Sequence, residues 1–144
     1  DVHTEEIIRG LYDSLRATSN AISENEIILG AGTIHSQMAN SVRLASESEP
    51  GKARLAMEAF ARALETIPAT LVENSGGESL DRILELRTAS RESDIPMGIN
   101  KDGFVTPTNN IWHPRSVIEN SLESATETAM SMLRIDQVIS SRGD

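Results

Sequence analysis

Residues 56–76 read Ala-Met-Glu-Ala-Phe-Ala-Arg-Ala-Leu-Glu-Thr-Ile-Pro-Ala-Thr-Leu-Val-Glu-Asn-Ser-Gly. Ala56, Ala59, Phe60, Ala63, Leu64, Ile67, Leu71 and Val72 return at three- and four-residue steps, which predicts one long helix over 52–74 with a single apolar stripe. Pro68 sits inside that pattern and is expected to kink the helix rather than end it, because the period resumes beyond it. A stripe so rich in alanine implies close approach by another helix. Gly76-Gly77 stops the run. A kinked, alanine-faced helix of this length dictates a mainly α architecture built helix on helix.

Working outward, Thr33 begins a second helix over 33–46 carrying Ile34, Met38, Val42 and Ala45, with Thr33 as its cap. Ser79 caps a fourth over 79–91 through Leu80, Ile83, Leu84 and Leu86. Ile7, Ile8, Leu11, Leu15 and Ile22 mark the first helix, over 4–22, capped by Thr4. Pro114 suits the opening position of a fifth, over 114–132. Between the fourth and fifth, residues 95–112 have no helical period, and the turn Asn100-Lys101-Asp102-Gly103 between Ile99 and Phe104-Val105 reads as a β-hairpin. Leu133, Ile135, Gln137 and Ile139 alternate with mostly polar neighbours, which predicts a terminal strand over 133–139 in need of a partner edge. The fold class is therefore a single mainly α domain: a five-helix bundle with a small hairpin and a terminal strand.

Composition narrows the function classes. The chain has 144 residues, a formal charge of −9, only 3% aromatic residues and no cysteine. Its core must be aliphatic. Without cysteine there is no disulfide framework, thiolate metal site or cysteine nucleophile. The acidic balance argues against nucleic-acid binding, which needs clustered Lys and Arg. No apolar run approaches the roughly 18 residues that span a bilayer. The opening Asp-Val-His-Thr-Glu-Glu-Ile-Ile lacks the regions of a signal peptide. A cytoplasmic location is expected, with no nucleic-acid or membrane partner.

Several groups are candidates for chemistry. Gly30-Ala31-Gly32 lies between the extended run Ile27-Ile28-Leu29 and a helix N-terminus, where backbone can approach a ligand closely. The same glycines can equally serve only to turn the chain. The loop lacks the third glycine of a dinucleotide fingerprint and the Gly-Lys-Ser/Thr of a phosphate loop. Asp13, halfway along the first helix, can act as a chemical carboxylate or simply pair with Arg9 and Arg16 on a solvated face. His3, His35 and His113 share no metal-site spacing, and no metal site is predicted. No Gly-x-Ser-x-Gly elbow occurs. The helical Met38, Met57, Met130 and Met132 read as packing residues, and Glu24, Glu26, Glu47 and Glu49 as solvated turn charges.

Asp13-Ser14-Leu15, Gly30-Ala31-Gly32, the segment 56–76 and Leu133-Arg-Ile-Asp-Gln-Val-Ile stand in the order of the group II chaperonins, the archaeal thermosome and its eukaryotic cytosolic relatives. The resemblance runs along nearly the whole chain and corresponds to the C-terminal part of the family's equatorial ATP-binding domain. It implies that Asp13 takes the place of the aspartate that positions water for attack on the γ-phosphate, a task suited to a carboxylate. It implies that Gly30, Ala31 and Gly32 pass under the ribose and base, and that Asn100, in Gly98-Ile99-Asn100, hydrogen-bonds the base or sugar. Where the family has three glycines this chain has Ala31 in the middle, and a methyl there costs strain if the backbone needs positive φ. Where the family has a ribose-binding carboxylate before a proline, this chain has His113 before Pro114. Neutral imidazole accepts one hydrogen bond, not two.

The resemblance also implies what is supplied from elsewhere. The family's phosphate-gripping Gly-Asp-Gly-Thr loop and its Mg²⁺-binding aspartate have no match here, nor do the apical and intermediate domains. ATP and Mg²⁺ are the implied cofactors. The implied partners are the rest of a chaperonin subunit, neighbouring subunits in a ring, and unfolded clients held by other domains. Hydrolysis is expected only with the N-terminal phosphate-binding half. A non-catalytic helical interaction module that retains the scaffold with a degenerate nucleotide site is the alternative.

Overall fold

The computed structural model describes the backbone of residues 2–140 and the side chains of residues 4–135. In chain order the elements are α1 (Val2–Glu24), β1 (Ile27–Leu29), α2 (Thr33–Ser46), α3 (Gly51–Asn74), α4 (Ser79–Glu92), β2 (Met97–Ile99), β3 (Val105–Pro107), β4 (Trp112–Pro114) and α5 (Arg115–Ser140). The chain is mainly α with five helices, as its patterning dictates. Two compact units divide it: one spans Ile28–Trp112, and the other joins the residues up to Ile27 to those from His113 onward. The chain passes from one unit to the other within β1 and within β4.

In the Ile28–Trp112 unit, α3 packs against α2 and α4. Ala39 on α2 and Ala61 on α3 are fully buried, so the small side chains do admit a close neighbour. Val72, Ile83, Leu86 and Ile99 form the apolar centre, with Ala69, Met97 and Val105 against it. Each such side chain removed from water contributes on the order of 2 kcal/mol. The buried line along α3 is Ala61, Leu64, Glu65, Pro68 and Val72. It is rotated from the expected stripe: Leu64 and Val72 are inside, but Phe60, Ile67 and Leu71 stay partly in solvent. Pro68 stands within the continuous helix as expected.

Residues 97–107 form the expected hairpin, with Met97 opposite Pro107, Gly98 opposite Thr106 and Ile99 opposite Val105. Asn100 closes it. Its Oδ1 accepts from the N–H of Asp102 and of Phe104, both at 2.9 Å, and Gly103 takes the left-handed φ of +79° at the end of the turn.

In the other unit α1 and α5 meet through polar contacts at their adjoining ends. Ser116 Oγ and N donate to the Glu24 carboxylate at 2.5 and 3.4 Å. The Arg115 guanidinium pairs with Glu26 at 3.2 Å and Glu119 at 2.6 Å. Glu24 and Glu26 are thus not idle turn charges. A carboxylate at the first turn of α5 meets the positive end of that helix and its unpaired N–H groups.

Five expectations at element ends fail. The stretch 133–139 is not a strand, since α5 continues to Ser140. A lone strand leaves its backbone groups unpaired, whereas a helix satisfies them within itself. The Gln137 and Ile139 side chains, part of the alternation, lie outside the described residues. Pro114 belongs to β4, and α5 opens at Arg115. None of the three expected caps acts as one. Thr4 lies inside α1, and Thr33 and Ser79 are the first residues of their helices rather than the residues before them. Thr33 and Ser79 use their hydroxyls elsewhere, on Thr108 and on Glu73.

Candidate functional site

Gly30-Ala31-Gly32-Thr33 forms a tight turn in which Thr33 N–H donates to Gly30 O at 2.9 Å. Both central residues are left-handed, Ala31 at φ +55° and Gly32 at φ +73°, the pattern of a type I′ turn. Gly32 suits this without penalty. Ala31 bears a Cβ in a conformation that costs roughly 1–2 kcal/mol for an L-residue, so the site does need the positive φ that makes alanine costly.

The surroundings hold the turn in place. Gly30 N–H donates to Ile111 O at 2.8 Å, and Ala31 O accepts from Ile99 N–H at 2.9 Å. A Cβ on Gly32 would lie 2.7 Å from Pro68 Cβ, so the ring in mid-α3 presses on the bare backbone. A Cβ on Gly98 would lie 2.7 Å from Ala31 O and 2.8 Å from Thr108 Cγ2, and would also collide with Thr33 Oγ1. The Thr33 and Thr108 hydroxyls bond each other out of solvent, and Thr108 N–H donates to Pro96 O at 3.0 Å. The turn, the start of α2, β2 and Thr108 thus interlock around two positions with no room for a side chain.

The expected site residues therefore fall into two sets. Gly30, Ala31, Gly32 and Asn100 share one unit, and Ile99, beside Asn100, is hydrogen-bonded to Ala31. Asn100 spends its Oδ1 on the hairpin turn, so a ligand would have its side-chain NH₂ as donor. Asp13 and His113 belong to the other unit, and both are exposed. Among the described residues no ion pair involves Asp13, so the expected pairing with Arg9 or Arg16 is not made. No group of three or more His, Asp or Glu among the described residues could hold a metal ion. A Mg²⁺ held by three or more such side chains is therefore not provided for among the described residues. No described helix is long and apolar enough to cross a membrane.

Two features escaped the reading of the sequence. One is Thr108, which carried no pattern. The other is Glu65, buried at 4% exposure among Arg43 of α2 and Arg87 of α4. Arg43 Nη1 and Nη2 reach its carboxylate at 2.7 and 2.5 Å, and Arg87 Nε and Nη2 at 2.6 and 2.5 Å. Burial pushes the Glu65 carboxyl up, but hydrogen bonds from Arg87 and Arg43 outweigh it and hold the group below the ordinary carboxylate range. The Glu65 hydrogen bond in turn raises Arg87, which stays charged. Glu65 lies on the buried line of α3, four residues after Ala61 and three before Pro68, beside rather than on the stripe read from the sequence.

The family model described as "TCP-1/cpn60 chaperonin family" matches residues 1–142. Thermosome subunit beta of Archaeoglobus fulgidus is 37% identical over 142 residues, covering 96% of this chain and 26% of the relative. Thermosome subunit alpha of Methanothermobacter thermautotrophicus is 35% identical with the same coverage. The chain thus spans about a quarter of the length of these relatives. Among solved structures, the open-state monomer of a group II chaperonin from Methanococcoides burtonii matches with a TM-score of 0.76 and 26% identity, over 90% of this chain and 33% of that one. The chain belongs to the TCP-1/cpn60 chaperonin family.

Proposed function

We propose that this chain supplies one wall of an ATP site, and the carboxylate that orients the attacking water, in an ATP-dependent protein-folding chaperonin. The observation that carries the reading is the left-handed turn at Ala31-Gly32, pinned by Pro68 and Ile99, in a chain 37% identical to a thermosome subunit. A bare, rigid turn suits a ribose and base laid against backbone. The Asn100 NH₂ donates to the base or sugar, and a His113 ring nitrogen accepts one hydrogen bond from a ribose hydroxyl. Asp13 holds a water by accepting its proton-bearing edge and aims it for in-line attack. Electrostatic stabilisation of the transferred phosphoryl requires a metal and a phosphate loop. Both are assigned to the N-terminal half of a complete subunit, together with the surfaces that build the ring and hold unfolded clients. A cytoplasmic setting goes with this role.

The alternative, an interaction module with a degenerate nucleotide site, draws on three observations: the strained Ala31, the committed Asn100 Oδ1, and a histidine where a bidentate carboxylate would serve. Titration of ATP with Mg²⁺ decides between them, using this chain and a longer chain that includes the N-terminal half. The proposal expects ATP to bind the longer chain, and Asp13→Ala to abolish turnover while binding survives. No binding by the longer chain establishes the module instead.

A further inference from the structure

We infer that the cavity bordered by Arg43, Arg54, Arg62 and Arg87 is a binding site for a small oxyanion of the phosphate type. The cavity is an open cleft of about 330 Å³ within the Ile28–Trp112 unit, with Glu47 and Glu58 on its wall. It is distinct from the turn at Gly30-Ala31-Gly32 and independent of the nucleotide reading.

Three observations carry it. First, charge: in a chain of net charge −9, four arginines converge here on three glutamates, counting Glu65 beneath the wall. A positive surplus remains. Second, preorganisation: Glu65 clamps Arg43 and Arg87 through two donors each. It takes only part of each guanidinium fork, and both arginines also line the cavity. Folding has already ordered these side chains, so a ligand meets donors whose rotamer entropy is spent. Third, spare charge: Arg62 makes no ion pair among the described residues, and Arg54 is held only by an exposed contact to Glu58 at 3.0 Å, the kind worth little in water. Arginines bordering one cleft match a tetrahedral, multiply charged oxyanion better than a neutral or cationic ligand.

The test is a titration of this chain with inorganic phosphate, followed through the arginine Nε–H resonances, against sodium chloride of equal ionic strength. Saturable shifts at Arg43 and Arg87 are expected with phosphate only. Arg62→Gln, a surface change, should weaken binding about fivefold, and Glu58→Gln, which frees Arg54, should tighten it about threefold. A parallel titration with phosphoserine separates sources. Tighter binding of phosphate marks a free anion, tighter binding of phosphoserine marks a phosphomonoester, and either upholds the site. Equal responses to chloride and phosphate, or variants that leave phosphate binding unchanged, overturn it.

Discussion

Helices α1 and α3 carry equally regular apolar stripes, yet they end in opposite states. On α3, Val72 is fully buried and Leu64 is 5% exposed. On α1, Ile7, Leu11, Leu15 and Ile22 are each exposed by more than half. Two neighbouring helices and a hairpin cover α3. Periodicity reports which face of a helix is built to be covered, not whether the cover lies in the same chain. The same contrast holds for charge: Glu65 is enclosed by two guanidiniums in the packed unit, whereas the Arg115 pairs with Glu26 and Glu119 stand in water.

The largest test of that contrast is electrostatic. Glu65→Gln should destabilise the chain by about 4 kcal/mol in urea denaturation, because it strands two partly buried cations, while Glu119→Gln should change stability by under about 0.5 kcal/mol. The pH dependence follows from the same group. The Glu65 carboxyl lies below its ordinary value when folded, so between the two values the unfolded chain binds more protons and stability rises with pH. Its contribution is complete above the ordinary carboxylate range and is lost as pH falls through the depressed folded value. Urea midpoints measured from neutral to acid pH should show this fall, and Glu65→Gln should flatten it.

Next comes a matched pair of leucines. Leu86, 1% exposed, should cost about 3 kcal/mol on change to Ala. Leu15, 68% exposed, should cost under about 0.5 kcal/mol. Equal losses would mean that α1 is covered within this chain after all, and the contrast would collapse. The smallest effect belongs to the turn. Ala31→Gly relieves a left-handed alanine but adds freedom to the unfolded chain, for a net gain of about 0.5 kcal/mol in thermal or urea unfolding.

Much of the packed unit was legible because each helix there satisfies its own period. The span 33–46 of α2 was read to the residue, and the hairpin followed from Asn100 through Gly103. Helix ends were read less well. The N-cap of α2 is Gly32, whose left-handed backbone makes no side-chain cap, so a hydroxyl residue at 33 pointed one position too far along. At 133–139 alternation was visible, but a two-residue period has force only where a second strand is present, and the helix prevailed. The proposed site came from a family likeness, not from pattern: nothing in the spacing of Asp13, Gly30, Asn100 and His113 singles out a nucleotide. Thr108 was silent because its side-chain role rests on contacts distant in sequence, the hydroxyl of Thr33 75 residues away above all. Glu65 was missed because the stripe read from the sequence lay to one side of the line that is buried, and only burial makes that carboxylate need neutralising.

The contact between Gly32 and Pro68 also bears on how this chain can change over generations. The ring at 68 fills the space that any side chain at 32 would need, and the collar around Gly98 is as tight. Position 32 is therefore held by two constraints at once: any residue at 68 other than glycine keeps a Cβ in that space, and the left-handed φ of +73° strains a side chain at 32 whatever the room. Family members with this turn should therefore keep the glycine whether or not they keep the proline.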